Sequence, residues 1–173
     1  MPLFKPNYYL SGISDLTPRR LSLWGIKGLI LDVDNTLAAQ DAPHLPKEID
    51  TWLKAAKEMH LPMIILSNNK PERVAPFAKK VGLPFVARAA KPLPFGFAKG
   101  VKLLGLKKES VAAVGDQILT DIIGSNLCGV KSILTDPLKE ETEGFLATKR
   151  RWQKNYLNRK KLTPLEKEQE GLL

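Results

Sequence analysis

The sequence predicts an α/β protein, a Rossmann-like three-layer α/β/α sandwich around a mostly parallel sheet. Three observations carry that expectation. Apolar runs of strand length recur, at 29–31, 61–66 and 111–114, each bounded by turn residues as buried strands are. Stretches with helical spacing of apolar residues separate them, and strands alternating with helices make βαβ units. The runs end in polar clusters, Asp32/Asp34, Ser67/Asn68 and Asp116/Asp121, and open parallel sheets bear their ligand sites beyond the carboxyl ends of the strands.

Taken in order, residues 1–24 read as an N-terminal extension packed on the core, mixing Tyr8, Tyr9, Leu10, Ile13 and Leu16 with polar residues. Thr17 and Pro18 suit the N-cap and first position of a short helix that runs towards Trp24. Gly25 and Gly28 bracket the entry into the first strand, which drives into Asp32 and Asp34 with Val33 turned to the core. From 45 to 60, Ile49, Trp52, Leu53, Ala56 and Met59 recur along one helical face. The run 61–66 is the next strand and leads into Ser67-Asn68-Asn69. A helix over 71–81 puts Val74, Phe77, Ala78 and Val81 inward, with Gly82 as its stop. Phe85-Val86 is a short strand, 94–104 a helix ended by Gly105, and 111–114 a strand leading into Gly115-Asp116. A helix over 119–127 stops near Gly129, and 130–134 is the last strand, closed by Asp136-Pro137. The core therefore spans 25–137. Residues 138–173 turn polar and then basic, a helical tail ended by Thr163-Pro164, with 165–173 expected to fray.

Composition narrows the class. A chain of 173 residues is long enough for one domain with a real core. A single cysteine, Cys128, excludes an intrachain disulfide framework and fits a reducing compartment. No apolar stretch reaches the roughly 18–20 residues of a membrane span, and the N-terminus lacks the apolar segment of a signal peptide. The expected location is cytoplasmic or the aqueous lumen of an organelle, with peripheral contact at the inner face of a membrane as a further option. A net charge of +9 serves solubility or draws the protein to a polyanion or an anionic membrane.

The polar clusters lie on one edge of a parallel sheet and so converge, joined there by Lys91. Carboxylates with open positions suit Mg²⁺, an oxygen-seeking ion that keeps several waters. A carboxylate can attack phosphorus to form an aspartyl-phosphate, and one two residues on can move the protons. A metal, an ammonium and a hydroxyl neutralise and position the phosphoryl oxygens. Each residue also has a plainer role: Asp32, Asp116 or Ser67 as a helix cap, and Lys91 as a solvated lysine, with Lys99 as its rival.

In their order, Asp32-Val33-Asp34-Asn35-Thr36-Leu37, Ile65-Leu66-Ser67-Asn68-Asn69, Lys91-Pro92 and Gly115-Asp116-Gln117 with Thr120-Asp121 resemble the four motifs of the haloacid dehalogenase (HAD) superfamily. The resemblance covers roughly 28–136. It implies that Asp32 is the nucleophile and a Mg²⁺ ligand. Asp34 is the general acid/base and touches the metal through its main-chain carbonyl. Ser67 and Asn68 bind the phosphoryl group, which Lys91 neutralises together with the nucleophile. Asp116 completes the metal site, and Asp121 is either an outer-shell ligand or a polar residue of the next helix. Enzymes of this superfamily that act on small metabolites carry a cap domain after the first or second motif. Here 37–63 and 69–91 leave room for little more than one helix each, so no cap domain is expected and the phosphate is presented on something large.

Within the superfamily the chain is similar to the YqeG-type subfamily, related to mitochondrial-type phosphatidylglycerophosphate phosphatases. Gly25-Ile26-Lys27-Gly28, Pro6-Asn7-Tyr8-Tyr9 and the basic tail join the motifs in that likeness. It implies a Mg²⁺-dependent phosphomonoesterase acting on phosphatidylglycerophosphate. The alternatives are a nucleotide, nucleic-acid end or phosphoprotein as substrate, or a metal-binding scaffold without turnover. In the tail, Lys149, Arg150, Arg151, Lys154, Arg159, Lys160 and Lys161 are interleaved with Trp152, Tyr156, Leu157 and Leu162. Such a segment is either a solvated helix docked by its aromatics or an interfacial one that meets anionic lipid, and nucleic acid would attract it too. Nothing in the sequence sets the oligomeric state.

Overall fold

A computed structural model describes residues 3–39, 44–141 and 144–166. Its strands are β1 (Tyr8–Leu10), β2 (Gly28–Leu31), β3 (Met63–Leu66), β4 (Phe85–Val86), β5 (Val111–Gly115) and β6 (Lys131–Thr135). They form one sheet in the order β1-β6-β5-β2-β3-β4, with every pair parallel. The helices are α1 (Pro18–Leu23), α2 (Lys47–Glu58), α3 (Pro71–Val81), α4 (Pro94–Leu104), α5 (Ile123–Cys128) and α6 (Gly144–Lys160).

Side chains alternate across each strand, and the apolar runs split accordingly. Leu29 and Leu31 face a cluster with Ile49 and Leu53 of α2 and Val74 and Ala78 of α3. Ile30 and Ile64 face the opposite way, onto Phe97 of α4. That is the three-layer sandwich. Between β2 and β3 the only helix among the described residues is α2, and α3 and β4 alone separate β3 from the Lys91 segment. Among the described residues no cap domain stands over the strand ends. Among the described residues no helix is long and apolar enough to cross a membrane.

Several boundaries follow local chemistry. Thr17 caps α1, its side chain accepting from the Arg20 N–H, and Gly82 ends α3 in the left-handed region at φ 62°, where a Cβ is strained. Met59, placed inward by spacing, is instead the exposed residue that closes α2.

Three features depart from the sequence expectations. The extension contributes a sixth strand, since β1 pairs with β6, Tyr8 opposite Ile133. The helix expected over 119–127 begins as a π turn, Ile118–Ile122, before α5 takes over. And α6 ends at Lys160, ahead of Thr163-Pro164; Leu165 N–H then donates to the Tyr9 carbonyl at 2.8 Å, covering the edge strand. The fraying expected for 165–173 falls, beyond Glu166, outside the described residues.

Candidate active site

At the carboxyl end of β2 the chain leaves the sheet, and the Asp32 N–H makes a last bond to the Val114 carbonyl (3.0 Å). Asp32 is 8% exposed. Its Oδ1 lies 2.5 Å from Lys91 Nζ, which also bonds Asp121 Oδ1 at 2.7 Å. Thr36 Oγ1 sits between Asp32 Oδ2 (3.3 Å) and Asp116 Oδ1 (3.2 Å). The carboxylates of Asp32, Asp116 and Asp121 are all buried, with one oxygen of each within 4.8 Å of the others.

Local structure aims each group. Asn68 clamps the Lys91 peptide, accepting from its N–H (2.7 Å) and donating to its carbonyl (3.1 Å), so its side chain positions the lysine. For a phosphate Asn68 can still offer its main-chain N–H and the second Nδ2 proton, at the cleft that it lines. Ser67 Oγ accepts from the Asn69 N–H (3.1 Å), the local bond expected of a cap, and keeps its own proton to donate into the cleft that it lines. Asp34 stands apart from the three-carboxylate cluster. Asn69 Nδ2 donates to its Oδ2 at 2.6 Å, and Arg73 lies 3.7 Å from its Oδ1. Lys99, the rival of Lys91, is exposed on α4. Asp121 is 3% exposed and belongs to the π turn, where its Oδ2 accepts from the Gln117 N–H (3.1 Å). The turn fits because residue 115 is glycine: a Cβ there would overlap the Asp121 side chain.

The tail supplies what sequence reasoning missed. Arg150 of α6 pairs with Asp116 Oδ2 and donates to the Asp116 carbonyl (2.7 Å) and to Glu141 (2.8 Å). Gln153 donates to that same carbonyl (2.8 Å) and accepts from the Ile118 N–H (2.8 Å). Leu157 packs with Ile118, Ile122 and Leu134. So α6 docks on its own domain through Arg150, Gln153 and Leu157, while Trp152 and Tyr156 lie against Phe4 at ring distances of 5.8 and 6.2 Å. The aromatics therefore share the docking with Arg150 and Gln153, Tyr156 packing beside Leu157, and the amphipathic signal was hidden because polar side chains make part of the contact. Asn35 (3.0 Å) joins Glu141 to the loop after Asp32.

Electrostatics tests whether a metal fits. Four carboxylates, Asp32, Asp116, Asp121 and Glu141, share two cations, Lys91 and Arg150. Burial pushes the Asp32 carboxyl up to about 8, against the pull of Lys91. Burial likewise raises Asp116 to about 6, opposed by Arg150. Burial works to lower Lys91, but Asp121 and Asp32 outweigh it and hold the ammonium charged. A buried, all-oxygen donor set with negative charge in excess fits a hard divalent cation. The neighbouring cleft, about 240 Å³, is open and lined by Asp34, Ser67, Lys91 and Asp121, with Arg73 and Lys149 also on its wall.

Comparison with known proteins agrees with this chemistry. Residues 27–129 match the family model of the haloacid dehalogenase-like hydrolases. The chain is 36% identical over 143 residues to "Probable phosphatase YqeG" of Bacillus subtilis (strain 168), covering 83% of each protein. It is 29% identical over 136 residues to "Phosphatidylglycerophosphate phosphatase 1, chloroplastic" of Chlamydomonas reinhardtii, covering 73% of this chain and 51% of that protein. Among solved structures it shares its fold with NagD from E. coli K-12, with a TM-score of 0.54 at 13% identity over 63% of this chain and 87% of that one.

Proposed function

Since this chain belongs to the haloacid dehalogenase-like hydrolase family and is a phosphatase of that type, we propose that it is Mg²⁺-dependent and converts phosphatidylglycerophosphate to phosphatidylglycerol. The observation that carries the substrate class is the uncovered cleft, with α6 at its rim. An open site accepts a phosphate borne on a surface. The name of the algal relative supports the particular lipid.

In this reading Asp32 attacks phosphorus, and the ester oxygen leaves with a proton from Asp34. Asp34 then takes a proton from water, whose oxygen attacks the phosphorus of the aspartyl-phosphate, releasing phosphate and restoring Asp32. The Ser67 hydroxyl, the Asn68 main chain and the Lys91 ammonium meet the phosphoryl oxygens. Asp32, Asp116 and the Asp34 carbonyl would hold Mg²⁺, with Asp121 as outer-shell ligand; the bound ion would neutralise charge on the phosphoryl oxygens.

The outer side of α6 supports membrane contact. Phe145 is 73% exposed and Trp152 38%, and Lys149 stands over the Phe145 ring at 4.7 Å. Aromatic and basic residues together suit the headgroup layer, where each Lys or Arg contributes about 1 kcal/mol. The same reading puts the protein in the cytoplasm, at the inner face of a membrane. The net charge of +9 also favours a second reading, a phosphate at a nucleic-acid end, on a nucleotide or on a protein.

One experiment separates them. The protein is incubated with Mg²⁺ and either phosphatidylglycerophosphate in anionic vesicles or a panel of soluble and polymeric phosphates. Release of phosphate from the lipid, abolished by Asp32→Asn, is expected. Turnover of a soluble phosphate beside an untouched lipid would sink the substrate claim.

A further inference from the structure

The basic tail reaches the site with a partly buried cation that the phosphatase chemistry does not use. Arg150 lies on α6, and its side chain is only 13% exposed, against 0% for Asp116 and 16% for Glu141. All three guanidinium nitrogens are committed. One pairs with Asp116 Oδ2, one donates to the Asp116 carbonyl at 2.7 Å, and Nε donates to Glu141 Oε2 at 2.8 Å. A turn later on the same helix, Gln153 donates to that carbonyl again at 2.8 Å.

We propose that Arg150 is a positioning residue for the metal site: through it, α6 fixes Asp116 so that one carboxylate oxygen is presented to the cation. The inference rests on the metal reading above. The two oxygens of Asp116 are differently engaged. Oδ2 is held by Arg150, while Oδ1 faces Thr36, which also reaches Asp32. The guanidinium therefore grips the oxygen turned from Asp32 and leaves the other for an ion that Asp32 shares. Asp116 stands where β5 gives way to the π turn, and the helix holds its main chain and its carboxylate together. Groups that orient a metal ligand in this way typically set affinity by about 10–100-fold. The C-terminal helix is thus a working part of the phosphatase centre, and the ion and the docking of α6 favour one another.

Mn²⁺ serves as the probe, with free ion counted by electron paramagnetic resonance in titrations of the full chain. Arg150→Ala is expected to weaken Mn²⁺ binding by about 10–100-fold. Arg151→Ala, the same loss of charge at the exposed neighbour, is expected to leave it unchanged. Arg150→Lys is the gentler variant if truncation unfolds the chain, with folding checked by circular dichroism. It keeps the charge, but one nitrogen cannot span three acceptors, so its binding should stay weak. Limited proteolysis gives a second readout: Mn²⁺ should protect α6 in the wild type and fail to do so in Arg150→Lys. Wild-type affinity in either Arg150 variant, or an equal loss in Arg151→Ala, overturns the inference. A wild type that takes up no Mn²⁺ overturns the metal reading and this inference with it, whereas equal uptake by wild type and variants overturns the inference alone.

Discussion

Lys91 Nζ lies 2.5 Å from Asp32 Oδ1, with the two side chains 5% and 10% exposed. The proposed nucleophile is thus paired with the cation that would neutralise the group it attacks. Asp121, also buried, shares the same ammonium at 2.7 Å. Removing one side of this pair is therefore not equivalent to removing the other.

Lys91→Met strands two buried carboxylates, whereas Asp32→Asn leaves the lysine with Asp121. Breaking a buried pair by removing one partner costs about 3–5 kcal/mol. Lys91→Met should accordingly melt well below the wild type, and Asp32→Asn should melt close to it. Both should lose turnover, the lysine variant by about 10²–10³-fold if its charge acts on the transferring group. Thermal melts beside a phosphate-release assay check the asymmetry. Equal melting losses would show that Asp121 does not hold the lysine.

Asp34→Asn should slow hydrolysis by about 10²–10⁴-fold, the usual weight of a general acid or base. The loss should depend on the leaving group. From an aryl phosphate the aryl oxide departs without a proton donor, so only the water step suffers and phosphorylated Asp32 accumulates. A burst of phenol stoichiometric with enzyme is the expected signature. A slow, burst-free reaction with the aryl ester would mean that Asp34 is needed for the first transfer as well.

Stability should fall as pH rises, and a divalent cation should reverse the trend. Burial raises Asp32 from 3.8 to about 8 and Asp116 from 3.8 to about 6. Below about pH 4 folded and unfolded chains both carry these protons. Between about 4 and 8 the unfolded chain gives them up first, so the folded chain binds more protons and stability drops with pH. A bound cation favours the ionised carboxylates and stabilises the folded state by mass action. Melting temperatures without metal should therefore be higher at pH 5.5 than at pH 8, and Mg²⁺ should raise them most at pH 8. A metal-free protein most stable at pH 8 would contradict the burial of these acids.

The sandwich and the strand-end residues were legible because their signals are local. Pro71 and Pro94 start α3 and α4, Gly82 and Gly105 stop them, and the apolar runs between give the strands. β1 was not legible. It has three residues, two of them tyrosines only partly buried, and its partner β6 lies more than a hundred residues away. The π turn was hidden because a side chain sets it, Asp121 taking the Gln117 N–H while the Ile122 N–H reaches back to the Gln117 carbonyl (3.3 Å). Arg150 was seen only as one base in a basic run. Nothing in Lys149-Arg150-Arg151 says which reaches Asp116, since that depends on where α6 crosses the end of β5. The signal that could have found it is Gln153, a polar residue one turn on, with Leu157 one turn beyond.

Two glycines sit where no side chain fits. A Cβ at Gly115 would overlap Asp121, and one at Gly124 would overlap the Phe97 ring. Both Gly→Ala variants overpack and should lose about 1–3 kcal/mol, but by different routes. Gly115→Ala must push Asp121 from Lys91 and from the Gln117 N–H, so the lysine loses an anchor and the π turn its brace. Gly124→Ala presses on the Phe97 ring, between α5 and α4, without meeting the Asp121 side chain itself. Matched by melting temperature, the first should lose turnover per folded molecule and the second should keep it. Equal activity at equal stability would show that Asp121 can move without disturbing Lys91, and that the pairing at the centre of this site is looser than its geometry.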